Sequence, residues 1–227
     1  MVSLITEGSS ADDNGRPFQR RRWVPWVATV SIVAVVGLVV WIRAFSMGEA
    51  STTAMSCNTP ALKAATSSAP APAPLGKRVG TSRMQDVEPA PLAATQVRVY
   101  NANGQRGQAT KVAADLGDYG FGSAPDNQVG NDPVYVDLNM ECNGQIRFGG
   151  KGAAAAATLQ LVAPCAELIE DTREDATVDL ALGTHFYELR PNADAEEVLR
   201  TLKSPPPGSD PAPVDAKLLE AARTAKC

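Results

Sequence analysis

The chain has 227 residues, a formal net charge of -4, 20% charged residues and a single histidine. An acidic balance with no basic stripe argues against a nucleic-acid-binding footprint. Once the polar, apolar and Pro-rich segments are set aside, about 100–130 residues remain, enough for one small domain.

Residues 1–22 are polar, with Arg16, Arg20, Arg21 and Arg22 closing the segment. They read as a cytoplasmic tail that presents positive charge to anionic lipid. Then comes WVPWVATVSIVAVVGLVVWI, from Trp23 to Ile42, with no charged residue. Twenty helical residues span roughly 30 Å, the hydrocarbon thickness of a bilayer. The competing readings are a buried core helix, which should show a polar face, and a cleaved signal peptide, whose apolar region is about 7–15 residues long. Only Thr29, Ser31 and Gly37 interrupt this run, and Arg43-Ala44-Phe45-Ser46 does not resemble a cleavage site. A single-pass transmembrane helix is therefore expected, with Trp23, Trp26 and Trp41 as interfacial anchors. The arginines before it place the N-terminus in the cytoplasm and everything after Ile42 outside.

Residues 43–95 are rich in Ala, Pro, Ser and Thr, with Ala69-Pro70-Ala71-Pro72-Ala73-Pro74 at their centre. That composition favours extended polyproline II, so an extracytoplasmic stalk is expected. The domain is predicted over 96–190. Val97-Arg98-Val99-Tyr100 alternates like a strand, and Asn101–Gly107 is a turn. Ala109, Val112, Ala113 and Leu116 then repeat at helical spacing, and Gly120-Phe121 reads as a Schellman stop. Val134-Tyr135-Val136 is a candidate short strand. A second strand–turn–helix unit follows: Gln145–Phe148, Gly149–Gly152 and Ala153–Val162, ended by Pro164. Ala166–Glu170 and Thr177–Leu182 are two further strands. Alternating strands and helices predict an α/β (α+β) class, a single two-layer sandwich with a mixed sheet, preceded by the transmembrane helix. The C-terminal 191–227 should hold two short helices, the first capped by Asp194, joined by the Pro-rich 204–213.

Cys57, Cys142, Cys165 and Cys227 all follow the apolar run. Outside a membrane an even count reads as disulfides, and four cysteines allow three connectivities. A helix after a strand returns the chain to the strand's starting end. Cys142 and Cys165 flank one such unit, so they are expected to pair, leaving Cys57 with Cys227. Without a C-x-x-C, and with His185 alone, no metal site is expected. Nor does any cofactor suggest itself.

The order Val97-Arg98-Val99-Tyr100-Asn101-Ala102-Asn103-Gly104, helix, Gly120-Phe121, Gln145-Ile146-Arg147-Phe148, helix, and Asp179-Leu180-Ala181-Leu182-Gly183 resembles the LytR C-terminal domain family over about 96–186. The resemblance implies a role in the bacterial cell envelope. In that family the domain often accompanies a phosphotransferase module that ligates glycopolymers to the wall. No such module is expected within this length, so its activity does not carry over.

Two Gly-rich turns open helices: Asn103, Gly104, Arg106 and Gly107 in the first, Gly150, Lys151 and Gly152 in the second. Free N–H groups at helix starts suit anions. If the preceding strands are parallel, Arg106 and Lys151 would face one phosphate or carboxylate of a wall polymer. The plainer reading is that glycine permits tight turns. Asp126, Asn127, Asn131 and Asp132 lack the calcium-loop pattern and read as turn formers. His185 has Asp179 and Glu188 near it in sequence but no nucleophile, so no catalytic group is assigned. The expected function is a non-enzymatic, single-pass cell-membrane protein supporting envelope integrity by binding wall components or partner proteins. The alternative is an accessory subunit of a glycopolymer-ligating membrane enzyme (LytR-CpsA-Psr type).

Overall fold

The computed structural model describes residues 23–47, 55–61, 72–203, 214–224 and 227. The tail 1–22, the centre of the expected stalk and the linker 204–213 lie outside the described residues. The chain divides into two units, Met1–Ser51 and Thr52–Cys227.

Among the described residues of the first unit there is one helix, α1 (Trp23–Met47). Its side chains are described at Trp23 and over 25–41, and all are exposed. A helical stretch from 25 to 41 spans about 26 Å, somewhat less than a hydrocarbon core. Among the described residues no helix is long and apolar enough to cross a membrane.

The second unit is built on a seven-stranded mixed sheet. Its strands are β1 (Lys77–Val79), β2 (Gln96–Asn101), β3 (Gly122–Ser123), β4 (Val129–Asn131), β5 (Gly144–Phe148), β6 (Glu167–Glu170) and β7 (Val178–Leu182). The order is β1-β6-β5-β7-β2-β3, with β4 also on β2 beyond β3. Strand β5 runs parallel to β6 and antiparallel to β7, and β7 runs parallel to β2. Helices α2 (Gln108–Tyr119), α3 (Ala153–Val162), α4 (Ala193–Lys203) and α5 (Ala216–Ala222) complete the unit.

Strand alternation sorts the side chains. Val97, Val99, Ile146, Phe148, Leu168, Val178, Leu180 and Leu182 join one core with the buried residues of the four helices. Helix α2 ends as predicted. Gly120 takes a left-handed φ of 105°, its N–H donates to Gly117 O, and Phe121 N–H donates to Leu116 O, the two bonds of a Schellman motif.

Several expectations are corrected. The folded unit begins well before Gln96. Strand β1 adds to the sheet edge, Met84 and Leu92 are buried in the core, and Ala90 exchanges hydrogen bonds with Ala154 and Thr158 of α3. Val134-Tyr135 is not a strand, because Asp132 Oδ1 accepts both their N–H groups and folds them into a turn. On the edge of β2 away from β7 the partners are β3 and β4. Asn192, not Asp194, caps α4: its Oδ1 accepts from Ala195 N–H while its Nδ2 donates to carbonyls at the end of α5. Asp215 caps α5.

The disulfides also differ. All four cysteines are bridged, but as Cys57–Cys142 and Cys165–Cys227, with Cα separations of 4.8 and 5.4 Å. Cys142 lies in a second small cluster with Ala102, Val134, Tyr135 and Met140, on the face away from the helices. Cys165 lies beside Val162 at the end of α3. A strand–helix connection fixes an end of the sheet but not a face, and the face decides the partner.

Candidate functional site

The first Gly-rich turn is held by asparagines. Asn101 Oδ1 accepts from the N–H groups of Asn103 and Gly104, and Asn103 Oδ1 accepts from Gln105 N–H. Gly104 and Gly107 have φ of 77° and 79°, a region costly for other residues. Asn103 Nδ2 donates to Gly183 O at 2.7 Å and to Gln108 Oε1 at 2.8 Å, and Gln108 Nε2 donates to Phe186 O. Asn103 is therefore engaged in joining this turn to the chain after β7. Arg106 is exposed.

At the second turn, a β-carbon on Gly149 would lie 2.1 Å from Arg173 O, so close backbone approach demands glycine there. Gly150 and Lys151 are exposed and Gly152 is buried. The two turns do not converge. Strand β2 runs with β7 and β5 runs against it, so the turns after β2 and β5 sit at opposite ends of the sheet. Arg106 and Lys151 cannot face one anion, because the condition for it, parallel preceding strands, is not met.

The sheet also carries a charged face, which none of the sequence motifs marks. The period of two that buries Val97, Ile146 and Leu180 turns Arg98, Arg147 and Asp179 to the other side, and the register sets Asp179 between the two arginines. Arg98 donates to Asp126 at 2.8 Å and to Asp179 at 3.0 Å. Arg173 bridges Asp179 and Asp171. Burial alone would lower the Arg173 pKa, but hydrogen bonds to Asp179 and then Asp171 more than offset it and hold the guanidinium charged. The hydrogen bond from Arg98 holds Asp126 below the usual carboxylate range.

A second group lies deeper. Arg147 Nη1 is 2.9 Å from Asp132 Oδ2, and its Nη2 donates to Gln145 Oε1. Asp132 Oδ2 is not aligned for a hydrogen bond, so charge holds this contact. Gln145 Nε2 donates to Glu167 and to the Tyr135 hydroxyl, which itself donates to Asn58 O at 2.6 Å. Arg78 pairs with Glu167 and donates to Cys57 O. The network thus ties the segment around Cys57 to the sheet. Asp126 and Asp132, considered as calcium ligands, are directed at arginines. Asp179, near His185 in sequence, is held by Arg98 and Arg173. Among the described residues no group of three or more His, Cys, Asp or Glu could hold a metal ion.

A family model described as LytR cell envelope-related transcriptional attenuator matches residues 94–186, from the start of β2 to just beyond β7. The cell envelope integrity protein Cei of Mycobacterium tuberculosis is 44% identical over 216 residues, covering 93% of this chain and 95% of that protein. The chain belongs to this LytR C-terminal, Cei-like family. A crystal structure of the soluble domain of a conserved hypothetical secreted protein from Mycobacterium marinum is also similar. It is 47% identical with a TM-score of 0.60, and the match covers 67% of this chain and 99% of that one. The family match omits β1, the segment carrying Met84, and helices α4 and α5, which all pack on the domain.

Proposed function

We propose that this chain is a single-pass, membrane-anchored envelope protein whose outer domain supports envelope integrity by binding wall components or partner proteins rather than by catalysis. The observation that carries the reading is α1. Trp26, Ile32, Val35 and Leu38 are 75%, 64%, 60% and 61% exposed, and apolar residues occupy every side of the helix. Such a surface is expensive in water and at home in lipid, where a helix meets its backbone hydrogen bonds internally. The apolar run extends to Ile42 in the sequence, and Arg20, Arg21 and Arg22 favour a cytoplasmic N-terminus. Two disulfides suit an oxidising compartment beyond the membrane. The name of the Mycobacterium tuberculosis relative supports the envelope role.

The test is alkaline carbonate extraction and external protease treatment of cells producing the full chain. Retention in the membrane with a protease-accessible C-terminal domain is expected. Release into the soluble fraction would overturn the anchor. A second reading is an accessory subunit of a glycopolymer-ligating membrane enzyme; the envelope-related description of the family model is compatible with it. Co-purification with such an enzyme, without retention on purified wall, would select it.

A further inference from the structure

Where the chain leaves β7 it borders an open cleft of about 90 Å³. Its floor is apolar: Val162, Ala166 and Phe186 are buried beneath it. The Cys165–Cys227 disulfide forms one wall. Asn143, His185, Glu188 and Arg190 bring polar side chains to the rim, and Tyr187 stands beside them. Tyr187 is 82% exposed, whereas Tyr135 is 1% exposed.

The rim backbone is fixed. His185 N–H donates to Cys142 O at 3.0 Å, and Arg190 N–H donates to Val162 O at 2.8 Å. Phe186 O accepts from Gln108 Nε2 at 2.9 Å. The rim side chains of Asn143, His185, Glu188 and Arg190 show no hydrogen bond or ion pair to other described residues. They are donors and acceptors on a held frame, free to meet a ligand.

The chemistry selects the ligand class. One acidic and one basic group balance, so neither a phosphate nor a cation is favoured. Donors and acceptors around an apolar floor suit a neutral ligand rich in hydroxyls. An exposed aromatic face suits the C–H face of a sugar ring. The volume admits one ring, not a buried stretch of polymer. The family match ends at residue 186, so Tyr187, Glu188, Arg190 and Cys227 belong to the part of the chain beyond it.

We propose that this cleft is a carbohydrate subsite that holds one uncharged sugar ring against Tyr187. The proposal rests on the wall-binding reading above and specifies where contact is made. The test is saturation-transfer NMR on the full chain in phosphatidylcholine nanodiscs, with maltotriose, cellotriose and tri-N-acetylglucosamine as probes. Transfer to the ring C–H protons of at least one probe is expected. Tyr187→Ala should weaken binding by about five- to tenfold while Tyr187→Phe retains it. Inorganic phosphate should not compete. No transfer to any probe, equal binding by Tyr187→Ala, or displacement by phosphate would each overturn the proposal. Pull-down by purified wall separates the two readings: if wall retention persists in Tyr187→Ala without sugar binding, the cleft fails and the wall-binding reading stands.

Discussion

Arg147 and Asp132 form an ion pair with side-chain exposures of 3% and 0%. Removing one partner of such a pair strands the other charge. Arg147→Met should therefore destabilise the domain by about 3–5 kcal/mol. Replacing both, as Arg147→Met with Asp132→Asn, removes the stranded charge while Oδ1 still accepts the Val134 and Tyr135 N–H groups, and should restore part of that loss. All three tryptophans precede residue 42, so guanidinium unfolding is best followed by far-UV circular dichroism rather than tryptophan fluorescence. Equal stability of the single and double variants would refute the pairing.

Met84 and Leu92 are 0% and 1% exposed although they lie in the Pro-rich segment. Leu92→Ala should cost about 2–5 kcal/mol, as for other buried leucines. A fragment starting at Gln96 should unfold at lower denaturant than one starting at Pro72, both lacking Cys57 and its disulfide. Indistinguishable midpoints would mean that 72–95 contributes nothing to the fold.

Arg106 and Lys151 stand at opposite ends of the sheet. Their effects on binding of any wall polymer should add within about 0.3–0.5 kcal/mol, as for distant independent sites. A double-mutant cycle with Arg106→Ala and Lys151→Ala checks this; a larger coupling would show them sharing one ligand.

Asp126 illustrates the acid response. Its folded pKa lies below that of the unfolded chain, because Arg98 donates to the carboxylate. A depressed carboxylate contributes stability above about pH 4, and the contribution is lost as pH falls through the folded value. The stability difference between the wild-type chain and Asp126→Asn should therefore be present at pH 7 and vanish near pH 2, measured by urea unfolding across that range. A difference independent of pH would sink the explanation.

The strands and helices with full periodicity were readable. Val97–Tyr100 and Thr177–Leu182 announce themselves by alternation, Ala153–Val162 by its alanine run between Gly152 and Pro164, and the Schellman stop by Gly120-Phe121. Strand β1 has three residues, Lys77-Arg78-Val79, too few to show a period, and the sheet alone makes it a strand. The directions of β5 and β7 depend on long-range pairing that no local pattern encodes. Arg98, Arg147 and Asp179 are legible as a charged face from the alternation, on the side of each strand opposite its apolar residues. The cleft beside Tyr187 was not, because Cys227 closes it from 62 residues beyond Cys165.

The two disulfide loops follow one another along the chain without interleaving: the first two cysteines pair, then the last two. A chain that meets an oxidant progressively from its N-terminal side need only join each unpaired cysteine to the next one to appear. Order of emergence then yields the native bridges without reshuffling, whereas an interleaved pattern would require an isomerase to undo the first bond made.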